Sequence, residues 1–308
     1  MMEPFDIQVR FYALSGALQP FFTALYSFEI DCPEGMRVDD WLHPEWATMR
    51  FTQEGRPPDG AVIPAPAGPT FPFVVSGPTS RAIGFTLWRS RLWGLGLQPA
   101  GWARYVAMPA RALADQIVDG HQVEALAPFA PILDIVRQER LKADAIARQI
   151  NTYLLDLDQH FAAPDPLVER CHEVLRDPAV ADVEGLGRKL DMNRRSLERF
   201  CARYFGFPPK MLLRRQRFLR SLARYMVSSS TDRSARSWSS VLDEQYFDHA
   251  HFVRDFRSFM GMTPTEYAER PHPVLDRIMA RRMVDQGVLA QTDMPTVLRY
   301  ADGAAAAG

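Results

Sequence analysis

Two segments of this chain, 55 residues apart, carry the side chains best suited to recognition chemistry: Arg194, Arg195, Ser196, Arg199 and Arg203 in the first, and His249, Ala250, His251, Arg254 and Arg257 in the second. Guanidinium groups repeated at helical spacing present rigid forks of donors that match phosphate oxygens or the acceptor edge of guanine, while Ser and Ala beside them touch base edges at close range. His249 and His251 raise a metal alternative, but they lack the second pair that a zinc site needs. His43 and His121 have no partner at ligand spacing, and no nucleophile motif frames any Ser of the chain. Gly94-Leu-Gly96 lacks the third glycine and the acidic residue of a dinucleotide fingerprint and reads as turn and packing. The expectation is a protein that is not an enzyme, with no catalytic residue, no metal and no cofactor.

Each segment must sit on a helix for its residues to act together. Asn193 and Asp248 suit the N-cap, Gly206 and Gly261 the left-handed position past the last turn, and Pro209 and Pro264 follow at matching distance. At 100° per residue, Leu197, Cys201, Tyr204 and Phe205 share one face of the first helix, and Arg195, Ser196, Arg199 and Arg203 point away. In the second, Phe252, Phe256, Phe259 and Met260 face in, and Ala250, His251, Arg254 and Ser258 face out. A shorter amphipathic stretch precedes each, at 183–190 and 238–244, which is helix-turn-helix spacing. Between the two units, 208–227 predicts one unbroken helix of roughly 30 Å. Successive major-groove faces on one side of a duplex lie about 34 Å apart, so such a strut could set both units into one long site.

At these residues the chain resembles the DNA-binding domain of AraC/XylS-type transcription regulators, two helix-turn-helix units on a linker helix. The resemblance covers about 170–270. It is carried by Arg-Arg-Ser-Leu-Glu-Arg-Phe (194–200), Tyr-Phe-Gly-Phe-Pro-Pro (204–209), Tyr-Phe-Asp-His-Ala-His-Phe-Val-Arg-Asp-Phe (246–256) and Gly-Met-Thr-Pro-Thr-Glu-Tyr (261–267). The pattern departs from the family at Gln245-Tyr246, where a small residue, often Gly, is usual, and the helix before it is about a residue short. Double-stranded DNA is the partner this resemblance implies. A small-molecule effector, RNA polymerase and a second copy of the chain are open candidates beside it.

Composition agrees. The chain has 308 residues, 47% of them apolar, enough for two ordinary cores, and no apolar run of about 20 residues that would span a membrane. The start, Met-Met-Glu-Pro, lacks the pattern of a signal peptide, and Cys32, Cys171 and Cys201 are odd in number and far apart, so the expectation is a cytoplasmic chain without a disulfide framework. The net charge is −1, yet residues 186–236 hold 14 Arg and Lys against Asp191, Glu198 and Asp232, or +11, leaving −12 elsewhere. A basic block in an acidic protein is the electrostatic footprint of polyanion binding. A nonspecific polyanion-binding block on a small-molecule enzyme or ligand-binding protein is the rival reading.

The N-terminal half is punctuated by Pro and Gly. Runs at 21–30, 46–51, 61–63, 73–76 and 83–88 predict strands, and a small antiparallel barrel or sandwich follows. The stretches 77–82 and 91–102 resemble the N-terminal domain of one AraC-type subgroup, which implies a cupin-like sensory or dimerising domain. Trp41, Trp46, Trp88, Trp93 and Trp102 could wall an apolar pocket or fill a core, and Arg81, Arg91 and Arg104 could hold an anionic effector or pair with carboxylates. From 124 to 161 the pattern turns helical, and Ile146, Ile150, Leu154, Leu157 and Phe161 form a stripe for intradomain packing or for a dimer seam. The fold expected is α+β: a β-rich, cupin-like or barrel-like regulatory domain over 1–120, a helical connector over 121–165, an all-α domain with two helix-turn-helix motifs over 166–272, and a C-terminal helix and disordered tail over 273–308.

Overall fold

A computed structural model describes residues 5–138, 140–227 and 237–286; the tail expected at the C-terminus lies outside them. Strict alternation makes β1 (Asp6–Tyr12) one-sided, with Ile7, Val9 and Phe11 buried and Asp6, Gln8 and Arg10 exposed. The strands that follow are β2 (Phe22–Asp31), β3 (Val38–Leu42), β4 (Thr48–Gly55), β5 (Asp59–Val62), β6 (Gly68–Pro69), β7 (Phe73–Ser76), β8 (Ile83–Leu87), β9 (Ser90–Leu97) and β10 (Ile117–Asp119). They form two antiparallel sheets, one of order β1-β2-β9-β4-β7-β10 and one of order β3-β8-β5-β6.

All five expected runs overlap strands, and β1, β3, β6, β9 and β10 lie outside them. The difference at β9 is instructive. Gly94 and Gly96 sit in mid-strand, between β2 and β4, and not in a turn. A Cβ on Gly94 would lie 2.0 Å from the Tyr26 ring, so glycine is what lets that ring cross the sheet.

Side chains of the larger sheet alternate between two environments. Leu25, Met49, Phe51, Phe73 and Trp93 face a helical layer that includes α1 (Pro99–Tyr105), α2 (Pro131–Val136) and α3 (Ala143–Asp158). Tyr26, Phe28, Val74 and Leu92 face the smaller sheet across a narrow cavity. Ile146, Ile150 and Leu154 of α3 are fully buried in the first of these cores, with Leu157 and Phe161 at its edge. The stripe is therefore intradomain packing, which removes the dimer-seam alternative. Asp158 fixes the far end of α3 by accepting hydrogen bonds from Arg104 (2.6 Å) and from the Tyr105 hydroxyl.

The helical C-terminal part follows: α4 (Pro166–Arg176), α5 (Val183–Leu190), α6 (Arg194–Tyr204), α7 (Pro209–Val227), α8 (His249–Met260), α9 (Pro264–Glu269) and α10 (Pro273–Gln286). No helix among the described residues is long and apolar enough to cross a membrane. One core joins α4, α5, α6 and the start of α7; another joins the rest of α7 to α8 and α9. Both include residues of the strand-rich part, Trp46 and Ala100 in the first and Ala82 in the second, so the two halves share their cores.

Candidate nucleic-acid interface

The first unit is built as its sequence dictates. The Asp182 side chain caps α5 by accepting from the Gly185 amide at 2.7 Å, and Asn193 caps α6 by accepting from the Ser196 amide at 2.9 Å. Gly206 ends the segment with φ +85°, a backbone angle that favours glycine. Leu197, Cys201 and Phe205 are buried and Tyr204 half-buried, while Arg194, Arg195, Arg199 and Arg203 are exposed and Ser196 half-buried. Phe200, not assigned inward from the sequence, is buried too. Arg194 makes an exposed i,i+4 pair with Glu198 at 3.2 Å, which leaves Arg195, Arg199 and Arg203 as the outward cationic edge.

The second unit keeps its cap and its stop. Asp248 accepts from the His251 amide at 2.6 Å, and Gly261 lies at φ +71°. Phe252, Phe256, Phe259 and Met260 are buried; His249, Ala250, Arg254 and Arg257 are exposed, and His251 is half-buried. The short helix expected at 238–244 is reduced to a single 3-10 turn, Trp238–Ser240. Its anchors are tertiary: Trp238 stacks on Tyr225 at 3.6 Å between ring centres, and its indole NH donates to the Pro264 carbonyl at 3.2 Å. Gln245 fills the turn where a small residue is usual because it has work on both sides. Its carbonyl accepts from Arg220 at 3.2 Å, and its amide donates to the Pro178 carbonyl beside the first unit.

The basic block proves to be two populations. Asp255 lies on α8 yet is buried, accepting from Arg214 at 2.5 Å, from Arg217 at 2.9 Å and from the Tyr246 hydroxyl at 3.2 Å. Burial, reinforced by the Asp255 charge, pushes the Tyr246 phenol well above its ordinary range, so it stays a donor. Arg217 also contacts His251 at 3.1 Å, and Arg220 forms a buried fork with Asp243 at 2.5 and 3.2 Å. Arg215, 1% exposed, donates to the Thr79 and Glu45 carbonyls at 2.9 and 3.4 Å and lies 3.7 Å over the Trp46 ring. These linker arginines hold α7 to its neighbours; they are not free for phosphate.

What remains outward is concentrated. An open groove of about 1270 Å³ runs from α5 and the start of α6 along α7 to His251, with Arg188, Arg194 and Lys210 facing it beside Asp182, Glu184 and Asp191, and with the Asp255-paired Arg214 and Arg217 in its wall. Lys210 and Arg188 join the candidate set here; both lie in the basic block, but periodicity alone gave no reason to single them out. The groove joins the two capped helices, and a duplex backbone is the polyanion whose periodic charges such a surface matches.

Other candidates are dispersed. His43 bonds the Tyr267 hydroxyl at 2.8 Å, His121 packs on Phe73, and no group of three metal-type ligands occurs among the described residues. Trp93 and Trp102 fill the core, Trp41, Trp46 and Trp88 lie under arginines, and none of the five lines the cavity between the sheets. Arg91 pairs with Glu29 and Glu54 and Arg104 with Asp158, while Arg81 is exposed. The arginine that does line the inter-sheet cavity is Arg50, bonded to Glu45 at 2.9 Å and Ser76 at 3.2 Å.

Comparison with known proteins matches residues 186–270 to a family described as a helix-turn-helix domain. No curated protein matches the chain. Among solved structures, ToxT from Vibrio cholerae is 9% identical over 86% of this chain and 98% of its own, with a TM-score of 0.40. ToxT with an unsaturated fatty acid bound is 12% identical over 87% and 97%, with a TM-score of 0.38. The AraC-like transcriptional activator CuxR is 15% identical over 71% and 87%, with a TM-score of 0.27. Residues 186–270 are thus similar to a helix-turn-helix domain, and both capped helices, α6 and α8, lie within that match.

Proposed function

We propose that this protein is a sequence-specific regulator of transcription that reads one long duplex site with α6 and α8. One observation carries the proposal: Arg195, Arg199 and Arg203 stand exposed on a helix whose opposite face is sealed in a core, and a groove that starts at the N-terminus of that helix, at Asn193 and Arg194, reaches the second capped helix at His251. In this reading Arg194, Arg195, Ser196, Arg199 and Arg203, with His249, Ala250, His251, Arg254 and Arg257, touch the duplex. Residues 1–120 regulate, 121–165 connect and 166–272 bind. The protein acts in the cytoplasm and is not an enzyme.

Effector control belongs to the same reading. The apolar cavity between the sheets, with the Arg50 guanidinium on its wall, suits a small amphipathic or anionic molecule. RNA polymerase and a second copy of the chain are the partners to test next. The decisive experiment selects bound fragments from a random duplex pool and titrates the winner at several salt concentrations. A single site spanning about two helical turns, bound about 10³-fold or more tighter than random DNA, is expected. Equal binding to all sequences at fixed salt would instead favour the nonspecific polyanion binder.

A further inference from the structure

The last described helix does not stay with the DNA-binding part. After α9 the chain turns back, and α10 packs on β1 and β3 of the strand-rich part. Val274 is buried there with Ile7, Phe28 and Leu87, and both Val274 and Ile278 form a wall of the inter-sheet cavity. What the helix leaves open is about 70 Å³. Small-molecule sites usually take about 300–1,000 Å³, so an effector finds no room while α10 is seated.

The seat has a lock. Asp40 of β3, 1% exposed, accepts from the Val274 and Leu275 amides at 2.9 and 2.8 Å, satisfying two of the amide donors that a helix start leaves free. Its other oxygen accepts from the Trp41 amide and faces Nδ1 of His272 at 2.9 Å. Nε2 of His272 lies 3.0 Å from the Tyr267 carbonyl, so the ring bridges Asp40 to the backbone of Tyr267. Tyr267 in turn is fully buried among Trp238, Phe252 and Phe256, directly behind the second recognition helix. A continuous path thus joins the cavity wall to the core of the second unit. Further ties lie along it: the Ala82 amide donates to the Phe259 carbonyl at 2.7 Å, and Ile63 abuts Gly261.

We propose that α10 is a tethered plug, and that filling the inter-sheet cavity and seating the second DNA-reading unit against the strand-rich part exclude one another. The proposal rests on the regulator reading only for its purpose; the coupling itself is physical. Withdrawal of α10 strips Asp40 of three partners at once, and an opening too small to admit water would leave its carboxylate desolvated and unpaired, so partial opening is disfavoured and the switch has two states. A ligand that fits only the open cavity selects the unseated state, and by linkage anything that holds the second unit in place weakens that ligand.

The test uses the full chain, native-state amide exchange and the anionic aromatic fluorophore anilinonaphthalene sulfonate, with no DNA, so it stands or falls apart from the regulator reading. Asp40→Asn should raise exchange at least tenfold in α10, in α9 and in α8 together, leave β2, β4 and β9 protected, and increase fluorophore affinity at least tenfold. Ile278→Ala keeps the lock and trims the plug, so it should raise affinity while the bound dye alone speeds exchange in α8 and α9. Should Asp40→Asn lose the protection of the strands as well, Ile278→Ala decides the matter. Exchange that rises in α10 while α8 and α9 stay as in the wild type overturns the coupling. Fluorophore binding unchanged in both variants overturns the plug.

Discussion

Replacing Asp255 with Asn tests the least obvious element of the second unit, a carboxylate on α8 that serves the scaffold. Its side chain is 3% exposed and neutralises two guanidiniums, Arg217 at 15% exposure and Arg214 at 31%. Removing one partner of a buried pair costs roughly 3–5 kcal/mol because the survivors are left desolvated and unpaired. Arg214 can swing toward water, which discounts the loss, whereas an Asn amide facing Arg217 adds a donor against a donor. The net cost is about 2–4 kcal/mol, confined to the second unit. Native-state amide exchange of α8 reads that local opening, and the cost corresponds to a loss of protection of about 30- to 1,000-fold. Exchange of α6 should not change. A loss below tenfold in α8 would refute the scaffold role.

Other outcomes follow from the same contacts. Ile150→Asp should destabilise the strand-rich half by about 3 kcal/mol or more, as a carboxylate placed in a sealed core does, without any change in the oligomeric mass that light scattering measures. Arg199→Ala should weaken binding to the selected duplex by about 1–3 kcal/mol, and Arg254→Ala by less, with folding intact in both; titration at several salt concentrations orders them, and a larger loss for Arg254 would reverse the assignment. Arg215→Met should take the guanidinium donor from the Thr79 carbonyl, while the Glu45 carbonyl keeps the Thr79 amide, and lower unfolding stability in urea by about 1–3 kcal/mol, although Arg215 is too buried to reach DNA. Phe247→Ser should leave thermal stability within about 0.5 kcal/mol, because its side chain is 93% exposed; a larger drop in melting temperature would show that Phe247 packs in solution.

The first unit was legible because every local signal agrees with the tertiary outcome. Asn193 caps, Leu197 and Cys201 repeat at helical spacing, Gly206 stops, and the Arg residues between have no competing partner within the helix that would bury them. The second unit was legible only where the same signals recur. Trp238, Val241 and Leu242 imitate one face of a helix, yet they are pinned by Tyr225, Pro264 and their core, and only one 3-10 turn forms. Nothing local to Asp255 announces burial, since its compensating charges come from α7, some 40 residues earlier in sequence. Gly94 misled for the opposite reason: the demand for a bare backbone comes from the Tyr26 ring on a neighbouring strand.

The linker helix shows how charge counting and structure part company. Residues 186–236 sum to +11, and as a sum that is an electrostatic footprint. Arg214, Arg217 and Arg220, however, face Asp255 and Asp243, which lie outside that window, so their field at a distance is largely cancelled. On α8 the same pairing removes Asp255 from the outward balance, which becomes Arg254 and Arg257 against Asp248, or +1, against +3 on α6. The first helix keeps the stronger claim on phosphate, at +3 against +1, whereas counting every charge of the two segments gives +3 against zero. Meanwhile Arg215 ties the linker to Glu45 and Thr79, Gln245 ties the second unit to Pro178, and Asp40 ties α10 to β3. The spacing of α6 and α8 is therefore set by the strand-rich part as much as by the length of α7, and a change inside that part has a route to both helices without touching the linker's own sequence.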